Sequence, residues 1–200
     1  VGNFLALHQS NVKRLLAYSS ISHVGFMLIG FTSIGTKALE TILLYLVIYL
    51  FMNLSAFLVA IIAKNNLNAE NIEDYKGLGY RNPVISAFMV ITLVSLAGLP
   101  PTAGYIGKFY LLANLFRDQS FYWLAVIAII NSVVALYYYF KIVKSMYFIS
   151  EDEVFDNKPV APNSFIKWTA IVFSAQSLLF YLYWTPLLDF INRSLSFWNS

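Results

Sequence analysis

The sequence contains no cysteine, only two histidines, and few charges for its length: 13 basic and 10 acidic side chains in 200 residues. Without cysteine there are no disulfides, no thiolate-held iron–sulfur cluster and no zinc ribbon. There is also no nucleotide-binding glycine pattern, no pair of carboxylates within one apolar run, and no histidine cluster at metal-ligand spacing. Soluble-type catalytic chemistry is therefore not expected, and neither is a bound metal or cofactor. The net charge of +3 is too small to argue for nucleic acid as a partner. No internal repeat or low-complexity tract is present.

What the chain has instead is apolar surface, with 59% hydrophobic and 18% aromatic residues and a mean hydropathy of +0.66. That exceeds what an ordinary soluble domain carries and places the chain in a lipid bilayer. Five windows lack any Asp, Glu, Lys or Arg: 15–36, 41–63, 82–107, 119–140 and 168–188. Each is long enough to cross a hydrocarbon core of about 30 Å as a helix. A β-barrel would instead show segments of about ten residues with alternating polarity. The expected fold is all-α: a single membrane domain over 1–200, with spans near 15–36, 41–63, 84–116, 119–141 and 166–188.

With five spans the connections alternate between two sides. One side holds Lys13, Arg14, Lys64, Lys76, Arg81, Lys141, Lys144, Lys158 and Lys167, and the other holds Lys37, Arg117 and Arg193. The excess puts the amino end and the two long loops, KNNLNAENIEDYKGLGYRNP and ISEDEVFDNKPVAPNS, on the cytoplasmic or matrix side. Trp123, Trp168, Trp184 and Trp198 fall near span ends, where interfacial aromatics sit. The opening VGNFLALHQSNVKRLLAYSS has neither an initiator Met nor a cleavable signal, so the chain is expected to be truncated at Val1.

The segment LAGLPPTAGYIGKFYLL, Leu96 to Leu112, interrupts the third span. From Val84 to Phe116 a straight helix would be about 50 Å long, well beyond the core. Pro100 and Pro101 remove two amide donors and disfavour helix for the residue before each, and Gly98 and Gly104 flank them with permissive backbone. Two half-helices joined by an unwound linker near Leu99 to Ala103 are expected. In lipid such a break is tolerated only where protein or water meets the freed carbonyls, which implies a hydrated cavity. Lys108 follows in the first turns of the second half-helix, at the positive end of its dipole. A protonated lysine is disfavoured there by the dipole and by low dielectric, which suits a group that takes up and releases a proton. The plainer alternative is a lysine snorkelling to an interface.

The first span offers a second polar line. Lys13, Ser20 and His23 fall within an arc of about 80° on one helix face and rise about 15 Å, a spacing that water could complete into a proton relay. Alternatively, Lys13 is a positive-inside flank, and Ser20 and His23 only bond a neighbouring helix. Interhelical hydrogen bonding is the expected role of Asn53, Asn131, Gln176 and the run Tyr137, Tyr138 and Tyr139. His8 receives no role.

NVKRLLAYSSISHVGFMLIG, NIEDYKGLGYRNP and SLAGLPPTAGYIGKFYLL together resemble the antiporter-like subunits of proton-pumping NADH:quinone oxidoreductase, respiratory complex I, and subunit N (mitochondrial subunit 2) in particular. The resemblance runs from Asn11 to Leu112, and the remaining helices agree in length and spacing. It implies the carboxyl-terminal part of a 14-helix subunit, roughly its last five helices. Lys108 then matches the lysine of the broken helix in the exit half-channel, and Lys13 and His23 match the central polar axis. The glutamate–lysine pair of the family's first half is absent from this sequence, so this piece alone is not expected to pump. Other complex I membrane subunits, the lipid bilayer and protons are the implied partners. NADH, flavin, iron–sulfur clusters and quinone are expected in other subunits, and the bacterial inner membrane, or else the mitochondrial inner membrane, is the implied location. Two alternatives stay open: an Mrp-type sodium/proton antiporter subunit, and an inert membrane scaffold.

Overall fold

The computed structural model describes residues 1–32, 36–116, 119–148 and 164–198. Within them every regular element is helical: α1 (Gly2–Leu7), α2 (Val12–Ile29), α3 (Thr36–Leu67), α4 (Leu78–Arg81), α5 (Pro83–Ala97), α6 (Ala103–Leu115), α7 (Tyr122–Tyr147), α8 (Ser164–Leu182) and α9 (Thr185–Trp198). The second long loop with Lys158, Arg117, and the side chains of Lys37 and Trp198 lie outside the described part.

α3 is the centre of the bundle and packs against α2, α5, α6, α8 and α9. Its sequence explains why. Ala56, Ala60 and Ala63 recur at helical spacing, are fully buried, and let neighbouring backbones approach closely. Between α3, α5 and α8 the hydroxyls of Ser55, Thr92 and Ser174 bond to one another, Ser55 to Thr92 at 2.9 Å and Thr92 to Ser174 at 3.1 Å. Each hydroxyl thereby finds a partner where lipid offers none. The outward faces of α2, α7 and α8 are apolar, with Leu28, Val126, Ile130, Val133 and Leu179 exposed. Buried hydroxyls that bond one another within an apolar core, under an apolar exterior, are the arrangement of an integral membrane helix bundle.

Length separates the helices into classes. The segments Val12–Thr32, Ala38–Leu67 and Tyr122–Tyr147 are each long and apolar enough to cross a membrane alone. Lys167–Leu182 and Thr185–Ser196 form a fourth candidate, bent by 86° between them. α5, with 15 residues, is about 22 Å long and short of a full crossing by itself. The bend departs from the sequence reading, which runs the last span on to residue 188. The chain turns at Tyr183 and Trp184, and Pro186 sits in the first turn of α9, where no amide donor is needed. α9 is amphipathic: Ile191 is buried and Leu187, Leu188 and Leu195 pack on the core, while Asp189 and Arg193 are exposed.

One end of the bundle is tied by short hydrogen bonds between connections. Val12 N–H donates to the Glu70 carbonyl (2.9 Å) and Ile72 N–H to the Ser10 carbonyl (2.8 Å). The Ser145 hydroxyl donates to the Ile72 carbonyl (2.5 Å), and the Tyr80 hydroxyl to the Tyr147 carbonyl (3.1 Å). The start of α2, the end of α3 and the end of α7 therefore share one face. Asn68, with φ 52°, turns the chain out of α3, and its N–H closes on the Lys64 carbonyl at 2.9 Å. Nearby, Lys64 pairs with Glu70 at 2.6 Å. That bond and the lysine's charge hold the Glu70 carboxyl below the usual carboxylate range.

Candidate functional site

α5 stops at Ala97, where Gly98 adopts φ +84°. Its N–H returns to the carbonyls of Val94 (3.1 Å) and Ser95 (3.0 Å), closing the helix end. Residues 98–102, including Pro100 and Pro101, carry the chain to α6. The start of α6 is held against the end of α5: Gly104 N–H donates to the Ser95 hydroxyl at 3.1 Å. A Cβ on Gly104 would overlap the Ser95 carbonyl oxygen, so only glycine allows this approach.

Across that interruption lies Lys108, 5% exposed. Its ammonium donates to the carbonyls of Leu96 (3.1 Å) and Ala97 (2.8 Å), the last two residues of α5. It also sits 4.8 Å from the centroid of the Phe26 ring, near enough for a cation–π attraction. From sequence alone the lysine meets only the positive end of its own helix. The structure adds the negative end of the preceding helix, so a charge disfavoured by burial finds oriented carbonyls to hold it. A cavity of about 210 Å³ adjoins it, lined among others by Gly98, Tyr105, Lys108, Ser132 and Leu136.

His23 is the second buried polar group, 3% exposed. Its Nδ1 lies 2.6 Å from the Tyr45 hydroxyl and its Nε2 lies 3.2 Å from the Tyr139 hydroxyl. Tyr49 stacks on the ring at 4.8 Å. Phe26, one turn further along α2, carries the Lys108 ammonium over its face and packs against Tyr45, the hydroxyl partner of His23 Nδ1. The structure therefore brings Lys108 and His23 into one neighbourhood. Ser20 is nearby, donating to the Leu16 carbonyl at 3.1 Å. Lys13 is set apart at the rim, half-buried, where its charge acts on Glu70.

Several functional candidates carry no separate signal in the sequence reading. Tyr45 and Tyr49 stand four residues apart in an apolar run, a spacing that puts both hydroxyls on one helix face. Asn3 belongs to a six-residue helix and bonds Asn131 and Tyr138 on α7. Asn131 and Tyr138 do bond other helices, whereas Tyr137 is 66% exposed and Asn53 Oδ1 is buried without a partner. Trp184 donates its indole N–H to the Tyr110 hydroxyl at 3.2 Å.

A family model described as NADH:quinone oxidoreductase/Mrp antiporter, TM, matches residues 1–135. NADH-quinone oxidoreductase subunit N 2 of Sorangium cellulosum (strain So ce56) is 43% identical over 199 residues, covering 98% of this chain and 39% of the relative. Among solved structures, a chain of the membrane-bound sulfane sulfur reductase, an archaeal respiratory membrane complex, shares the fold with a TM-score of 0.86 at 23% identity, over 98% of this chain and 39% of that one. A chain of respiratory complex I from Thermus thermophilus matches with a TM-score of 0.74 at 26% identity, over 94% of this chain and 42% of that one. The chain thus spans about two fifths of the length of the relatives it matches.

Proposed function

The chain belongs to the NADH:quinone oxidoreductase/Mrp antiporter transmembrane family, and we propose that it contributes a proton-translocation half-channel to a subunit N-type component of NADH:quinone oxidoreductase. In this reading the half-channel is coupled to quinone reduction carried out elsewhere in the complex. Lys108 is its proton-exchanging group, and His23, Ser20 and Lys13 continue the path toward the basic face. α5 and α6 act together as one broken crossing, the third of five in a single membrane domain. Gly98, Pro100, Pro101 and Gly104 form the break. The basic face lies on the cytoplasmic side of a bacterial inner membrane, or on the matrix side of a mitochondrial one, and other membrane subunits are the partners.

The observation that carries this reading is the placement of Lys108. A buried ammonium held by two helix-end carbonyls and the face of Phe26, beside a cavity and in the neighbourhood of His23, is an expensive arrangement in a membrane interior. It is suited to holding a proton without locking it in an ion pair. An inert scaffold would gain nothing from it. The Mrp branch of the family supplies the second reading, exchange of sodium for protons on the same fold. Reconstituted complex driven by NADH in sodium-free medium separates the two. Undiminished proton translocation supports the proposal, and translocation that requires added sodium favours the antiporter.

A further inference from the structure

Phe26 stands where the two halves of the site meet. Its ring centroid lies 4.8 Å from the Lys108 ammonium, and the same ring packs on Tyr45 with centroids 6.5 Å apart. Tyr45 in turn meets His23 Nδ1 at 2.6 Å. Lys108 gives its hydrogen bonds to the carbonyls of Leu96 and Ala97, and among the described residues none joins it to Tyr45 or His23. An apolar ring thus occupies the contact between the buried cation and the Tyr45–His23 pair. The buried cluster to which it belongs, Ile29, Ile42, Leu111 and Leu115 included, is otherwise apolar, and a buried water needs about three polar partners to stay. The ring also borders a cavity of about 400 Å³ between α2 and α7, lined among others by Ser22, Gly25, Ala128 and Asn131. Gly25 leaves that side open, since a Cβ built on it would meet nothing within 4 Å.

We propose that Phe26 is a gate between Lys108 and His23. With the ring over the ammonium, no polar atom bridges the two groups and protons do not pass, as at the hydrophobic constrictions that close channels by excluding water. A change of rotamer, with α2 itself fixed, carries the ring toward the cavity between α2 and α7. Water then takes its place, held by the ammonium and the Tyr45 hydroxyl. The ammonium gives a proton to that water, and the water passes one on to the Tyr45–His23 pair, leaving a neutral amine behind and an imidazolium ahead; the reverse transfer follows the same route. A pump needs such a separation, because a path that is always continuous lets the gradient it builds run back through it. The inference rests on the reading of Lys108 and His23 as parts of one proton path, and its test keeps the two apart.

Whole complex reconstituted into vesicles gives two readouts, each normalised to the amount of assembled complex: protons moved per electron, and passive proton flux under an imposed potassium diffusion potential without NADH. Phe26→Ala removes the ring and should lower protons per electron and raise the passive flux while quinone reduction continues. Because truncating a buried phenylalanine can prevent assembly, Phe26→Gln serves beside it; it keeps much of the length of the ring but supplies polar atoms, and it should show the same slip. Phe26→Leu, which keeps apolar bulk, should leak least of the three. Adding Lys108→Met to Phe26→Ala should abolish the extra passive flux. A ring that only packs would change assembly and neither readout, and a ring that only steadies the ammonium by its π face would make Phe26→Leu as impaired as Phe26→Ala. Either result, or an excess flux that survives Lys108→Met, would overturn the gate. Normal pumping by Lys108→Met alone reports on the other claim: it removes Lys108 from the path, whatever Phe26 does.

Discussion

The Lys108 ammonium nitrogen lies 2.8 Å from the carbonyl oxygen of Ala97, so a side chain of one helix closes the carboxyl end of the helix before it. The break in the chain and the buried charge are one structural unit. The carbonyls freed where α5 stops are those that receive the ammonium, and the glycine that stops it leaves room for the lysine's methylene chain.

Gly98→Ala tests that unit from the backbone side. A Cβ at this position would stand 2.6 Å from Lys108 Cδ, and φ is +84°. The backbone alone costs an alanine about 1 to 2 kcal/mol, and Lys108 must also move. We expect reduced thermal stability of the assembled complex and a larger reduction in proton translocation than in assembly, read by native gels alongside vesicle acidification. Wild-type behaviour in both would show that the contact is not needed.

Gly104→Ala should be more severe, because its Cβ would overlap the Ser95 carbonyl and backbone cannot yield as a side-chain tip can. Loss of assembled complex is the expected outcome. Ser95→Ala removes only the hydroxyl that accepts Gly104 N–H and should cost about 1 to 3 kcal/mol, seen as a lowered melting temperature with the complex still assembled.

Much of this architecture is legible from composition. Charge-free apolar windows mark the long helices because lipid demands continuous apolar length, and Pro100 and Pro101 mark where α5 cannot continue. The 86° turn into α9 is not legible, since residues 183–188 carry no charge and amphipathicity appears only once Ile191 and its neighbours have a core to pack on. Lys108 could be singled out as a buried charge, but its acceptors are backbone carbonyls that every residue possesses. Only tertiary packing selects Leu96 and Ala97. Likewise, which of the three consecutive tyrosines meets His23 depends on how α7 is rotated against α2.

Orientation can be read with single cysteines, since the native chain has none. Asn66 is exposed at the basic end and Ser194 is exposed on α9. A membrane-impermeant thiol reagent added to intact cells should label Ser194→Cys and spare Asn66→Cys. The reverse pattern would invert the proposed topology.

Lys13 stands at the rim beside the Glu70 charge. If it exchanges protons with the interior, Lys13→Ala should lower translocation more than assembly, and Lys13→Arg should be impaired too, because a guanidinium does not release its proton. A fully active Lys13→Arg would leave Lys13 only a fixed positive charge, and the path would then begin closer to His23.

The most direct test of the account is Lys108→Met in complex reconstituted into vesicles, with proton translocation normalised to quinone reduction and to the amount of assembled complex. Removing a buried charge that has no ion-pair partner among the described residues should leave assembly intact. The account predicts fewer protons moved per electron, or turnover slowed by about a hundredfold if translocation and electron transfer are tightly coupled. Protons per electron and turnover both equal to wild type, at equal assembly, would contradict it.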